Sequence, residues 1–483
     1  MIGSLLSWLV VALAGHGLLR LLGGAWPIPR LGVLGAASLS TLSGVALLGV
    51  LTTTIGLLGG PTRPLPLLAA LLFVIAEAGL LVGRASPRPG VDVGTVRPSR
   101  LGDVVTGLLS VGIGARLAVT VAALPVWHND EYAIWAYRGR VLSLSGHLDP
   151  RIFLGVQERN THLDYPLLVP SLIAWSDASA GGPVDGSARV YLIVVFAALL
   201  MATGWALGRL AGSLAAIAGV LTVAAMPRGL SRLALLLTAD LTLLAFAVPL
   251  VLVLALWVRS GDRMLLACAG VLAAGAASTK AEGMLFALAA LLGAGLVAGT
   301  GKARRQLAIA AAGVAAAIAP WLLYTRLHGI ENSVVNGQSL SSGNLRSVLP
   351  VADDVVVGML SHWPGPGLLS ALLLVSTVLL AGWRGHGRLI GQIALTVAVT
   401  VAGLWLQYVI STHGTGAAAA EWLRLHLFAT GYRVLLFPSL LCALAVPLLA
   451  GTSMDRGRAE PSPSDGVQSS VNVMSRPEPH VGP

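Results

Sequence analysis

The sequence predicts an all-α polytopic membrane protein, and three observations carry that expectation. Hydrophobic residues make up 55% of the chain against 11% charged, with a mean hydropathy of +0.82. A soluble chain of this length needs far more polar surface. The apolar residues also come in runs of about 20, the length that crosses roughly 30 Å of hydrocarbon. Finally, arginine and lysine collect in alternate connections between these runs, as they do on a cytoplasmic face.

Taken in order, the first runs lie at 2–22, 31–58, 65–83 and 103–124. Nothing basic precedes the first run and no small-residue cleavage site follows it, so it is expected as a membrane helix rather than a removed signal peptide. Further runs lie at 188–208, 212–227, 240–257, 264–279, 282–299, 307–325, 366–383, 389–411 and 431–450, which makes about thirteen spans. Pro166–Trp175 is too short to span and is expected as a helix at the membrane interface, with Trp175 at headgroup level. Three parts follow: an N-terminal three-helix extension at 1–102, a main region at 103–450 with a large loop at 125–187, and a disordered tail at 451–483 rich in Ser, Pro and charge.

With thirteen spans, Arg84, Arg88, Arg97, Arg100, Arg259, Arg263, Lys302, Arg304, Arg305, Arg384, Arg388, Arg456 and Arg458 all fall on one face, which the basic bias makes cytoplasmic. Cationic membrane loops thus account for the formal charge of +10, and no nucleic-acid partner is expected. Only Lys280 and Lys302 are lysines; together with the Ala, Gly, Leu and Val bias this composition looks like that of a high-GC bacterial genome. Cys268 and Cys442 lie in apolar runs and are expected as small core residues, not as a disulfide or metal site.

The chemistry is concentrated in Trp127–Leu168, WHNDEYAIWAYRGRVLSLSGHLDPRIFLGVQERNTHLDYPLL, on the outer face. It holds Asp130, Glu131, Asp149, Glu158 and Asp164 with Arg138, Arg140, Arg151 and Arg159. Asp130-Glu131 begins a helix, where carboxylates are stabilised by unpaired N–H groups. On that helix Ile134, Trp135, Val141 and Leu142 share a face, with Arg138 in its middle. An arginine there needs a partner, either Glu131 one turn or two above or a bound phosphate. Asp130 points aside and is suited to take a proton from a hydroxyl.

Four further sites come from outside that helix. Asp164, in LDYPLLVP, is either a loop aspartate before a proline turn or a second acid of the site. Asp240, in TADLTLL, sits at the outer mouth of a span beside Arg228 and Arg232, and there an N-cap role competes with a functional one. Lys280, in STKAEG beside Glu282, is either a snorkelling lysine or a point charge for a phosphate. Arg189 and Arg433 each open a span at the helix end least favourable to a cation, so each is expected to pair with an acid or to contact a ligand. Glu77 and Arg116 are charges inside spans and thus candidates by default. No P-loop, GxSxG or HExxH is present, and His128, His147 and His162 lack metal-ligand spacing.

In this order, NDEYAIWAYRGRVLSLSGHLD, LDYPLLVP, SARVYL, TADLTLL and STKAEG resemble the membrane-embedded glycosyltransferases of the GT-C fold. The branch is that of protein O-mannosyltransferases, the lipid A aminoarabinose transferase and rhizobial galacturonosyltransferases. The resemblance covers about residues 103–300, and more loosely to 450. It implies a catalytic outer loop and a polyprenyl-phosphate sugar as donor. It also implies a glycan, lipid or protein acceptor and no cofactor, with nothing in the spacing of the acids requiring a divalent metal. By the same resemblance Asp130 would be the general base, with Glu131 in support. Arg138, Lys280, Arg433 and Arg189 would serve the donor phosphate, while Asp164, Tyr165, Asp240 and Glu282 would line the cavity. Relatives carry PPL where this chain has YPLL, and a lysine where it has Tyr165. The rival expectation is a transporter or flippase of a lipid-linked glycan precursor; gathered outer acids and the lack of repeated halves favour the enzyme.

Overall fold

The computed structural model describes the chain except residues 1, 25–26, 62–64, 83–98, 123, 127–129, 149–161, 184, 227–234, 333–351, 364, 381–386, 412–420, 422–429 and 460–483. The described residues form helices and no strand: α1 (Ile2–Gly23), α2 (Pro27–Leu57), α3 (Leu65–Val82), α4 (Arg100–Ala122), a π-helix (Glu131–Ala136) and α5 (Tyr137–Ser145). Then come α6 (Leu168–Ser179), a single turn (Asp185–Ala188), α7 (Val190–Ala211), α8 (Ser213–Ala225), α9 (Ala239–Ser260) and α10 (Arg263–Ala277). The last six are α11 (Ala281–Ala298), α12 (Gly301–Leu327), α13 (Ala352–His362), α14 (Gly365–Leu380), α15 (Gly387–Ile410) and α16 (Leu436–Ala459).

Among the described residues, eight helices are long and apolar enough to cross a membrane, and four shorter apolar helices accompany them, at Leu71–Leu81, Ser213–Ala225, Arg263–Ala277 and Leu436–Ala450. The chain is an all-α polytopic membrane protein built for a lipid bilayer.

α9 is the axis of the bundle. It is apolar on every side (ADLTLLAFAVPLVLVLALWV) and buried from Ala239 to Trp257, enclosed mainly by α7, α10 and α11. A helix hydrophobic all round belongs inside. The outer helices instead leave Leu101, Val104, Leu108 and Val119 on α4, and Leu322 and Leu323 on α12, exposed to the surroundings that a bilayer would fill. Helix pairs approach through glycine where packing is tightest. A Cβ on Gly15 of α1 would lie 1.9 Å from the Ser40 carbonyl oxygen of α2, so only glycine fits that crossing.

At one end of the bundle Arg259, in the last turn of α9, donates to the Leu210 carbonyl at the end of α7 (3.1 Å). The opposite end receives the C-terminus of α4, the π-helix, the start of α9, the α10–α11 turn and the segment that opens α16.

One expectation needs correction. The segment predicted to lie at the interface is α6, but it is buried between α5 and α2, and Trp175 is only 4% exposed. Its apolar residues face protein on nearly every side, leaving no face for lipid headgroups. Within the tail expected from residue 451, α16 runs to Ala459. The rest of that tail lies outside the described residues.

Candidate functional site

Five charged side chains from four stretches of chain meet at the end of the bundle away from Arg259. Asp240 stands in the first turn of α9, so the buried axis of the molecule fixes its position. Lys280 stands in the turn between α10 and α11, in extended conformation, with Glu282 in the first turn of α11. That hairpin is tight because a Cβ on Gly283 would lie 1.9 Å from the Ala276 carbonyl oxygen. Arg433 precedes α16 in a segment whose Thr430 hydroxyl shares a 2.9 Å hydrogen bond with Tyr408 of α15. Asp130 opens the π-helix.

Arg433 joins the two acids from separate elements. Its Nε and Nη2 donate to Asp240 Oδ2 at 2.8 and 2.5 Å, and its Nη1 to Asp130 Oδ2 at 2.5 Å. Lys280 Nζ lies 3.5 Å from Asp240 Oδ1 and 3.1 Å from Glu282 Oε1. Asp240 therefore bridges the two cations with its two oxygens. Burial alone would pull the Lys280 ammonium down, but Glu282 and Asp240 outweigh it and hold the group above the ordinary lysine range, so it is a fixed positive charge. The Asp130 side chain is the most open of the five, 30% exposed against 6% for Asp240. Chemically, the cluster sets two fixed cations, Lys280 and Arg433, among three carboxylates.

Glu131 and Arg189 form a separate clasp, both wholly buried. Arg189 grips Glu131 with two parallel bonds, Nη1 to Oε1 at 3.0 Å and Nη2 to Oε2 at 3.1 Å. It also donates to the carbonyls of Leu235 and, at 2.6 Å, of Pro125. Glu131 Oε1 accepts the Leu237 amide at 2.6 Å. The clasp thereby ties together the exit of α4, the π-helix, the start of α7 and the approach to α9. Asp130 directly precedes Glu131 in the chain, and Asp240 lies three residues beyond Leu237.

Arg138 makes a third contact set. It is fully buried, on the face shared with Ile134, Trp135 and Leu142 as the periodicity predicts. Its Nη2 donates to the Tyr165 carbonyl (3.0 Å) and its Nη1 to that of His162 (3.3 Å), while Glu131 is gripped by Arg189. The 162–165 turn is held from its other side by Trp321 Nε1, which donates to the Asp164 carbonyl (2.9 Å). Tyr165 is buried, stacked with Trp135 (5.6 Å) and His162 (4.7 Å), with Lys280 Nζ 5.8 Å from its ring centroid.

Of the residues singled out in the sequence, the structure thus gathers Asp130, Asp240, Lys280, Glu282 and Arg433, with Asp164 and Tyr165 beside them. Glu131, Arg189 and Arg138 are engaged by the protein itself, away from that cluster. Glu77 and Arg116 are exposed on α3 and α4 and take no part. Asp149, Arg151, Glu158 and Arg159, His128, and Arg228 and Arg232 lie outside the described residues, while His147 is exposed on the loop after α5. Among the described residues, no three His, Cys, Asp or Glu side chains converge as metal ligands. Sequence reasoning missed Trp321, which lies in the apolar run at 307–325 without any local signal of its role. Comparison of the chain with protein-family models, with curated proteins and with solved structures finds no match.

Proposed function

We propose that this protein is an inverting glycosyltransferase that moves a sugar from a polyprenyl-phosphate donor to an acceptor at the outer face of a bacterial cell membrane. One observation carries the reading: Arg433 and Lys280 converge from different helix ends on Asp240, with Asp130 on the open side. A lipid-linked donor keeps its chain in the bilayer and its phosphate and sugar at the helix mouths. Lys280 and Arg433 would share their positive charge with that phosphate as it departs. The acceptor oxygen attacks the anomeric carbon opposite the phosphate. The C–O bond to phosphate breaks, polyprenyl phosphate leaves, and the acceptor proton passes to a carboxylate. A single displacement inverts the anomeric centre. The sequence order nominates Asp130 for that carboxylate.

Transfer and transport separate in one experiment. Purified protein in vesicles receives a radiolabelled polyprenyl-phosphate sugar and a membrane extract. Label is expected to move to the acceptor with wild type and to fall by roughly 10²-fold or more with Lys280→Ala, as for removal of a transition-state electrostatic group. Movement of the labelled lipid across the bilayer without transfer would make the protein a flippase.

Orientation has its own prediction. The native Cys268 and Cys442 are buried, and His147 and Lys302 are exposed near opposite ends of the bundle. In intact cells, a membrane-impermeant maleimide is expected to label His147→Cys and not Lys302→Cys. The reverse pattern would place the charge cluster on the cytoplasmic side and exclude the proposed site of reaction.

A further inference from the structure

We propose that Asp164, rather than Asp130, is the carboxylate that takes the proton of the acceptor hydroxyl. This rests on the glycosyl-transfer reading above and sharpens it. Compare the described acids near the cluster. Glu131 is held by Arg189 and the Leu237 amide, Asp240 by Arg433 and Lys280, Glu282 by Lys280, and Asp130 by Arg433. Each of these carboxylates is thus held by at least one cation or amide of the protein. Asp164 is different: both its carboxylate oxygens are shielded from solvent, and among the described residues no group donates a hydrogen bond to either.

A buried carboxylate without a donor is unfavourable by roughly 1–3 kcal/mol or more, and folded proteins rarely leave one without a use. The turn around it is nonetheless firmly set. Its backbone is pinned by Trp321 at the Asp164 carbonyl and by Arg138 at the carbonyls of His162 and Tyr165. The Tyr165 amide closes back onto the His162 carbonyl at 3.0 Å. His162 has φ 53°, the one positive φ outside glycine among the described residues, and such conformations persist where surrounding contacts enforce them. The described residues thus fix the carboxylate through its backbone while supplying no donor to its side chain. That arrangement suits a group whose hydrogen-bond donor arrives with the substrate.

Asp164 also belongs to the same electrostatic site. The His162 imidazole feels Asp164, Lys280, Asp130 and Glu282 together, and burial holds it below the usual histidine range, hence neutral at pH 7. Its ring lies flat on Tyr165, whose other close neighbours are Trp135 and Lys280. A hydroxyl hydrogen-bonded to Asp164 would therefore stand near the cations assigned to the departing phosphate. In the step, the acceptor O–H bond breaks and its proton goes to an Asp164 oxygen. The oxygen's electron pair forms the new bond to the anomeric carbon, and the pair of the old C–O bond leaves with polyprenyl phosphate.

The test compares wild type, Asp164→Asn and Asp130→Asn in vesicles, measuring kcat for transfer across pH together with thermal unfolding. Asp164→Asn is expected to lower kcat by about 10²–10⁴-fold, the range for a lost general base. It should also remove the acidic limb of the pH–rate profile and leave Tm unchanged, because no hydrogen bond from the described residues is lost. Asp130→Asn should keep the acidic limb. Transfer by Asp164→Asn at the wild-type rate, or an acidic limb lost in Asp130→Asn instead, would overturn the assignment while leaving the glycosyltransferase reading standing. A Tm drop of several degrees, or failure of Asp164→Asn to fold, would show a structural carboxylate and overturn it too. Absence of transfer by wild type would overturn both.

Discussion

Arg189→Ala is expected to destabilise the protein by about 3–5 kcal/mol, the cost of leaving a buried charge without its partner. Glu131 would keep only the Leu237 amide among the contacts described above, and the carbonyls of Pro125 and Leu235 would lose a donor. Thermal unfolding in detergent measures the loss. Replacing both partners, Arg189→Met with Glu131→Leu, is expected to recover part of it, because a pair of apolar groups carries no orphaned charge. Activity provides a second reading. Asp130 adjoins Glu131, and Asp240 lies three residues beyond Leu237, so loosening the clasp shifts both acids that hold Arg433. A displacement of about 1 Å at a reacting centre costs on the order of 10²-fold. In the double variant, stability should therefore return further than transfer does. A double variant as unstable as Arg189→Ala would show that the pair's hydrogen bonds, not its uncompensated charge, set the cost.

The second large effect is expected at Arg433. Arg433→Ala removes the group that lies between Asp130 and Asp240, leaving Lys280 as the cation on Asp240. Stability should fall by roughly 3 kcal/mol, and transfer by at least about 10²-fold, because phosphate stabilisation and the placement of two carboxylates are lost together. Arg433→Lys separates charge from geometry. An ammonium keeps the charge but lacks the planar fork that reaches two carboxylates at once. It is therefore expected to restore stability in part and transfer poorly. Equal recovery of both would mean that position 433 supplies charge alone.

Much of this architecture was legible in the sequence because a membrane enforces simple rules. Runs such as Ala239–Trp257 have no polar face, and only a buried or lipid-embedded helix accommodates them. The members of the charge cluster were also legible as types: a bilayer protein places so few acids and lysines near helix mouths that Asp130, Asp240, Lys280 and Arg433 stand out. Pairing was not legible. Arg138 sits on the same helical stretch as Glu131, so periodicity favoured that local partner, yet Glu131 binds Arg189, 58 residues away. No local pattern reports a contact made by chain segments that meet only after the bundle packs. The π-turn added to this, since one extra residue in a turn rotates everything after it.

Asp164 illustrates the other limit. In LDYPLLVP it was one loop acid among several, and nothing in residue type separates a paired carboxylate from one without a donor. What distinguishes it is where Arg138 and Trp321 spend their hydrogen bonds, on backbone carbonyls at 3.0 and 2.9 Å rather than on the carboxylate. α6 misled for a related reason. A short, proline-bracketed apolar segment fits the interface and the interior equally well, and its packing between α5 and α2 decides.

The most direct test of the central claim is binding of polyprenyl phosphate, the product without its sugar, to purified protein in lipid nanodiscs. Wild type, Arg433→Ala and Lys280→Ala are compared with a neutral polyprenol control. The account predicts saturable binding of the phosphate over the alcohol, weakened by at least tenfold in either variant. Equal binding of phosphate and alcohol, or phosphate binding undiminished in both variants, would contradict it.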